Sequence, residues 1–492
     1  MVRDDRMPPF TEALPKSREG EWVLEMLTID EILKAADGKL LHGKREIGAS
    51  GISIDSRTIK DGELFVAIKG DVFDGHNFIG EAIKKGACGA IVNEDYPVSG
   101  SMVQNRVILS VHDTILALQE TARFYRHKFT LPVTGITGSN GKTTTKEMLW
   151  SILSQKSHVL KNEGNFNNHI GVPLTLLRLD SSHKMAVIEM GISERGELSR
   201  LCQIAAPDSA VITNIGPTHL EKLGRIENVA EAKGEILKFI PSHGFCILNR
   251  DDKFFDVFKA MSPGRIISFG ISPDADVHIE SYETAVQGKS ADSITFNLIC
   301  PAGRIDVNLH AIGLHNIYNA LCAAASAYAL GISPADIKSG LEKFTPVRMR
   351  SAVEKVEEIY IINDTYNANP ASMVAAIDML KTFKAGNRRF AIIGDMLELG
   401  ENTIMAHRDL GIYIAGAGAD GLIAVGEFAG YVAEGAAEAG MNENNIKAFN
   451  DYPQTLEQIK EWITTGDIVL VKWSMGMKME RIVEGLRESL KK

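Results

Sequence analysis

The run Val133-Thr-Gly-Ile-Thr-Gly-Ser-Asn-Gly-Lys-Thr-Thr-Thr145 carries the clearest chemistry in the chain. Apolar residues lead into it, the small residues Thr137, Gly138, Ser139, Asn140 and Gly141 form a turn, and Lys142, Thr143 and Thr144 open a helix-like segment. Small residues let backbone N–H groups converge on phosphate oxygens, and a helix N-terminus adds the positive end of its dipole. In such a loop Lys142 reaches the β/γ-phosphates of ATP and the Thr143 hydroxyl holds Mg2+. One spacing departs from the strict pattern: Gly135 and Gly141 have five residues between them rather than four. A glycine-rich turn with a surface lysine is the plain alternative. The loop does not say what the ATP is for, because motors, switches, kinases and ligases all use one.

Three further positions bear on that question. Glu189 closes the apolar run Met185-Ala-Val-Ile-Glu, which in a parallel sheet places it beside the loop. His219 follows another strand end in Thr213-Asn-Ile-Gly-Pro-Thr-His, and Lys233 lies between Glu231 and Glu235 on a helical segment. Taken singly they read as a helix cap, a structural imidazole and a solvated lysine. Taken together, hard oxygen ligands with one imidazole suit Mg2+ or Mn2+.

The elements that position these residues show in the alternation of β-rich and helical runs. Candidate strands are Val133–Thr137, Met185–Met190, Ala210–Ile215, Phe245–Leu248 and Arg265–Phe269, followed by an Ala-rich helix from Asn316 to Leu330 that ends at Gly331. Such alternation predicts a mainly parallel sheet covered by helices. The rhythm restarts after residue 346, and a smaller α/β set precedes residue 112. The expected organisation is a polar tail over 1–26, a small α/β domain over 27–112, a central P-loop domain over 113–345 and a Rossmann-like α/β domain over 346–492.

Composition narrows the class. The 492 residues include 53 Lys+Arg against 63 Asp+Glu, a formal charge of −10, which disfavours non-specific nucleic-acid binding. Five dispersed cysteines without a C-x-x-C pair read as buried free thiols in a reducing compartment. No apolar run is long enough to span a bilayer and the first residues have no apolar signal core, so the expectation is a cytoplasmic protein.

With these residues in place the chain resembles the Mur ligase family of peptidoglycan synthesis. The loop Thr137–Thr145 matches that family's ATP loop, including its glycine spacing. Asn165-Phe-Asn-Asn, Gly171-Val-Pro, Glu189-Met-Gly, Asn214-Ile-Gly-x-x-His219, Ala232-Lys-Gly-Glu and His315-Asn316 with Asn319 fall in the family's order. Ile54-Asp-Ser-Arg57, Gly70–Phe78, Asp364-Thr-Tyr-Asn-Ala-Asn-Pro370 and Gly394-Asp-Met-Leu-Glu-Leu-Gly400 look most like the member that adds the terminal dipeptide.

The resemblance implies a UDP-sugar domain, an ATPase domain and a C-terminal domain that closes over the site. It implies an ADP-forming ligase joining D-alanyl-D-alanine to UDP-N-acetylmuramoyl-tripeptide through an acyl phosphate, acting without nucleic acid or membrane insertion and as a monomer. Thr143 and Glu189 would bind one Mg2+ and Glu189 and His219 a second, helped by a carbamylated Lys233. Asn316 would touch adenine, Asp364 the ribose and Arg350 the γ-phosphate, with Arg348 close enough to compete for that last role. Ser56, Arg57, Asn167, Asn168, Tyr366, Asn367 and Asn369 would meet substrate, and Lys142, Lys233, His219 and Arg350 would serve catalysis. One stretch departs: where the family usually reads Lys-Gly-Ser-Arg, this chain has Lys472-Trp-Ser-Met475, which leaves the roles of Lys472 and Ser474 open. The rival readings are a family member adding a diamino acid as third residue, a folate polyglutamate ligase, and a P-loop switch or motor.

Overall fold

Six parallel strands carry the phosphate loop. In the computed structural model, which describes residues 27–97, 106–285, 293–383, 388–477 and 479–490, their order is Arg265–Phe269, Phe245–Asn249, Ser209–Ile212, Val133–Thr137, Met185–Glu189 and Val159–Lys161. Every neighbouring pair is parallel. After Val133–Thr137 the chain builds two strands to one side and then three to the other. The order therefore reverses at this strand, and the crevice at its carboxyl end is where such sheets bind ligands. The loop, Glu189 and the exit of Ser209–Ile212 all meet there. That last strand ends earlier than the sequence suggests, because Asn214 turns towards the loop and the Ile215 N–H donates to Asp252 Oδ2 at 2.6 Å.

An antiparallel sheet of His278–Ala285, Ser293–Cys300 and Gly303–Leu309 follows, an element absent from the expected strand set. Its inward residues Ile294, Phe296 and Leu298 alternate with Thr295 and Asn297, the period of a strand with one buried face. They share an apolar cluster with the buried helix Leu314–Ala329, after which Gly331 turns at φ 76° as a glycine past a helix end does.

The N-terminal sheet runs Lys39–His42, Val107–Val111, Gly89–Asn93, Leu64–Val66 and Ile52–Ser53, antiparallel only at the first pair. Helix Thr114–Arg126 binds it to the central sheet. Asp113 caps its start by accepting from the Ile115 and Leu116 N–H groups, and the buried Arg126 donates to Ala205 O at 3.0 Å and Leu131 O at 3.2 Å. One apolar cluster runs from Leu27 through Leu118 to Phe258, so these two regions share a core.

The C-terminal sheet has the order Ala352–Val356, Ile359–Asn363, Ile468–Lys472, Arg389–Gly394, Gly421–Val425 and Ile446–Phe449, with only the first pair antiparallel. It keeps separate cores on its two faces. Three α/β units with mainly parallel sheets agree with the expected fold class; the tail over 1–26 lies outside the described residues. Among those, no helix is long and apolar enough to cross a membrane.

Candidate active site

The phosphate loop is shaped by two glycines at positions where a side chain would be strained and crowded. Gly138 has φ 142° and a Cβ there would lie 1.9 Å from Thr213 Oγ1; Gly141 has φ 81° and a Cβ would lie 2.2 Å from Asn319 Oδ1. The loop is tied to the next strand's exit, with the Ser139 N–H donating to Asn214 O at 2.9 Å and the Asn140 N–H to Asn214 Oδ1 at 3.0 Å. Lys142 folds back and donates to Gly138 O at 2.7 Å and Ser139 O at 3.1 Å. Burial pushes its pKa down to about 8; Glu189 opposes that shift and Arg350 adds to it. A lysine that caps its own loop's carbonyls is poised to exchange them for phosphate oxygens.

Glu189 ends its strand where the sequence places it, 1 % exposed. Asn162 clasps its backbone, accepting from the Glu189 N–H at 2.9 Å and donating to Glu189 O at 2.8 Å. Oε1 accepts from Asn167 Nδ2 at 2.8 Å, whereas the buried Oε2 accepts no hydrogen bond and lies 3.6 Å from Lys146 Nζ. An unsatisfied buried carboxylate oxygen is costly. The buried Thr143 and the imidazole of His219 line the same cavity, and donors of these types suit a hard divalent cation.

Lys233 is buried just behind this wall, and its surroundings correct the picture of a lysine among acids. Glu231 pairs with Arg195 at 2.6 Å, and Glu235 accepts from the Gly196 N–H and from Ser199. The Lys233 amine therefore has no carboxylate partner among the described residues. Burial, reinforced by the charge of Lys142, pushes its pKa well below the ordinary lysine value. A neutral buried amine is a nucleophile.

The C-terminal sheet supplies the opposite wall of a cavity of about 830 Å³. The Arg350 guanidinium stacks 3.7 Å over the Tyr366 ring, and its buried Nε has no hydrogen-bond partner. The neighbours of Arg350 hold left-handed backbone, Met349 at φ 64° and Ser351 at φ 50°. Both are anchored: the Tyr366 N–H donates to Met349 O at 3.0 Å and the Ser351 N–H to Asp364 Oδ1 at 2.8 Å. Arg348 is exposed and off the wall, so the geometry separates the two arginines.

Lys472 is buried and donates to Asp364 Oδ2 at 2.6 Å and Asn367 O at 2.8 Å. Burial would raise the Asp364 pKa, but Lys472 and His315 outweigh it and hold the carboxyl below its usual range. Trp473 next to it is fully buried in the core of this sheet, against Gly394, so the unusual residue packs away from the cavity. Across the cavity Asn140 and Asn369 exchange side-chain hydrogen bonds, Nδ2 to Oδ1 at 3.3 Å one way and 2.7 Å the other.

Most expected site residues thus share one cavity: the loop from Ser139 to Thr144 with Asn167, Asn168, Glu189, His219 and Asn316 on the central side, and Arg350, Asp364, Tyr366, Asn367 and Asn369 opposite. Asn316 sits at the start of its helix with Nδ2 donating to Ile312 O at 2.8 Å. Thr137 and Gly138 stand behind the wall, the Thr137 hydroxyl donating to Met190 O. Ser56 and Arg57 are not on it either: Ser56 donates to Glu81, and the exposed Arg57 forms a two-point pair with Asp55. The sequence reading quoted His315 and, inside the run Gly394–Gly400, Glu398 without giving either a role, and left Lys472 and Ser474 open; all four line the wall. Elsewhere among the described residues His158, Asp180 and His183 come together, but Asp180 Oδ1 already accepts from the Ser182 N–H and lies 3.0 Å from His183 Nδ1, so the cluster closes on itself.

Three family descriptions match the chain: Mur ligase family, catalytic domain, over residues 49–126; Mur ligase middle domain over 136–327; and Mur ligase, glutamate ligase domain, over 348–474. The UDP-N-acetylmuramoyl-tripeptide–D-alanyl-D-alanine ligase of Bacillus subtilis is 33% identical over 467 residues, covering 94% of this chain and 98% of the relative. The Haemophilus influenzae enzyme of the same name is 35% identical over 473 residues, covering 95% and 99%. A crystal structure of MurF from Acinetobacter baumannii superposes with a TM-score of 0.85 at 34% identity, covering 94% of this chain and 99% of that one. MurF from Thermotoga maritima in complex with ADP gives 0.76 at 28% identity, covering 90% and 98%. A UDP-N-acetylmuramoyl-L-alanyl-D-glutamate–2,6-diaminopimelate ligase reaches only 0.53 at 18% identity, a likeness of fold alone.

Proposed function

This chain belongs to the Mur ligase family, and on that premise we propose that it joins D-alanyl-D-alanine to UDP-N-acetylmuramoyl-tripeptide at the expense of ATP. The observation that carries the reading is the shared cavity. A phosphate loop with a buried acceptor oxygen faces an arginine, an aspartate and an asparagine-rich segment from a separate sheet. A switch or motor needs the loop but not a second polar wall facing it from another sheet.

A carboxylate does not condense with an amine at neutral pH, because oxide is a poor leaving group. In the proposed route a tripeptide carboxylate oxygen attacks the γ-phosphorus of ATP, the bond to the β-bridging oxygen breaks, and ADP leaves. The amine of D-alanyl-D-alanine then attacks the carbonyl of the acyl phosphate, inorganic phosphate leaves with that carboxylate oxygen, and the amine releases its proton. Lys142 exchanges Gly138 O and Ser139 O for phosphate oxygens, and Arg350 offers its free Nε–H to the transferred group from the opposite side. Asp364, pinned by Lys472, offers a fixed carboxylate to the ribose, and Asn316 offers its amide to adenine. The Asn140–Asn369 pair holds the two walls together, which excludes water from an intermediate that water would destroy.

Thr143 and Glu189 would hold one Mg2+, and Glu189, His219 and a carbamylated Lys233 a second; bound there, the ions offset charge on the phosphates. The carbamate forms when the neutral Lys233 amine adds CO2 and loses a proton, turning a buried base into an anion. Chain labelled with 13C-bicarbonate should give a carbamate carbonyl resonance absent from Lys233→Ala; its absence from the parent chain would remove this part of the reading. Phosphate release should require the UDP-tripeptide and D-alanyl-D-alanine together. Release supported by a single diamino acid would move the chain to another branch of the family, and release with no peptide would favour a switch or motor.

A further inference from the structure

We propose that Glu398, reaching across from the C-terminal sheet, is a positioning residue that fixes the ring tautomer and aim of His219 when the two walls meet. The inference rests on the reading of His219 as a cation ligand, but the contact itself is independent of it. Glu398 Oε2 hydrogen-bonds His219 Nδ1 although the two residues are 179 positions apart. An ionised carboxylate can only accept, so Nδ1 must carry the proton and Nε2 keeps the ring's only available lone pair.

The backbone on both sides of the contact is strained in the same sense. His219 has φ 54° and Glu398 has φ 63°, a region that ordinary residues rarely occupy and that clusters at functional junctions. The strain is held by a braced loop. Asp395 accepts from the Glu427 N–H at 2.9 Å and the Phe428 N–H at 3.1 Å, the Met396 N–H donates to His407 Nε2 at 2.9 Å, and the Leu397 N–H to Ser474 Oγ at 3.0 Å. Ser474 thereby acquires a role: it orients the loop that carries Glu398. The docking is completed by the Glu221 N–H, which donates to Glu398 O at 3.2 Å. Gly400 turns the chain at φ 59° beside Glu221, a left-handed backbone that suits glycine. Both side chains are partly exposed, His219 by 27% and Glu398 by 56%, so the pair adds little to stability and its consequence is orientation. Imidazoles that bind metals commonly have their other ring nitrogen fixed by a carboxylate in this way. Here the carboxylate arrives from another sheet, so assembly of the cation site is coupled to closure.

The test reads the ring directly in the full chain without substrate or metal. The 15N shifts of His219, assigned by their loss in His219→Gln, should report the Nδ1–H tautomer. Glu398→Gly relaxes the left-handed backbone while deleting the carboxylate, and should shift the ring towards the Nε2–H tautomer. Glu398→Gln keeps an acceptor and should retain Nδ1–H. In Glu398→Gly the Mg2+ concentration for half-maximal ligase activity should rise about tenfold or more, with KM for D-alanyl-D-alanine unchanged. An unchanged tautomer in a folded Glu398→Gly chain overturns the proposal. An altered tautomer with unaltered Mg2+ dependence would instead count against His219 as a cation ligand, which keeps the two failures distinguishable.

Discussion

The two walls of the cavity are built by different means. On the central side the chemistry comes from strand ends and a helix start: Glu189 is the last residue of its strand and Lys142 the first of its helix, each fixed by backbone geometry. On the C-terminal side it comes from loops held by side-chain pairs, with Lys472 on Asp364 and Tyr366 under Arg350. Of the seven non-glycine residues with positive φ among the described residues, four (His219, Met349, Ser351 and Glu398) lie at the junction of the walls. The central wall is a preset cradle for phosphate charge. The opposite wall is held by pairs within its own sheet and meets the cradle through Asn369 on Asn140 and Glu398 on His219, the arrangement expected of a part that closes on bound substrate.

That contrast makes predictions of descending size. Lys142→Ala removes a cation from the preset cradle and should lower kcat/KM for ATP about a thousandfold or more. Arg350→Ala should lower kcat about a hundredfold or more while leaving nucleotide affinity within a few-fold, because in the proposed route its guanidinium acts on the transferred group. Equal losses of affinity in both variants, measured by ADP titration, would erase the distinction between the walls. A smaller effect concerns pH. Burial pushes the Lys142 pKa down to about 8 in the free chain, and bound phosphate should keep the lysine charged. The kcat/KM for ATP should therefore fall about tenfold per pH unit above that point while kcat stays level. A flat profile to pH 10 would mean that the lysine is less desolvated than the geometry indicates. The smallest effect belongs to the amide pair across the cavity. Asn140→Ala and Asn369→Ala should be non-additive by roughly 0.5–3 kcal/mol in a double-mutant cycle on kcat/KM, and additive effects would show that the pair does not hold the walls together.

The same contrast explains what could be read in advance. Glu189 was legible because parallel strands deliver their last residues to one edge, and the loop because glycine and lysine positions are fixed by phosphate geometry. The alternating parallel sheets were legible for a similar local reason. No strand was placed over the antiparallel segment from His278 to Leu309, although Ile294, Phe296 and Leu298 follow the period of two; the strand-helix rhythm on either side drew the reading past it. The docking contacts were not legible at all. Asn140 meets Asn369 across 229 positions and His219 meets Glu398 across 179, and such pairs leave no periodic trace in sequence. Lys472 and Ser474 fall between: their residue types were noticed, but the neighbouring Trp473 cast doubt on them until its burial in the far core showed that it does not intrude.

The central claim is that the γ-phosphoryl group passes to a carboxylate before the amide bond forms. UDP-N-acetylmuramoyl-tripeptide labelled with 18O in its terminal carboxylate, incubated with ATP and D-alanyl-D-alanine, tests it by mass spectrometry of the released phosphate. The account predicts one 18O atom from the peptide in each phosphate formed alongside product. Phosphate that carries only oxygen from ATP and water would contradict it.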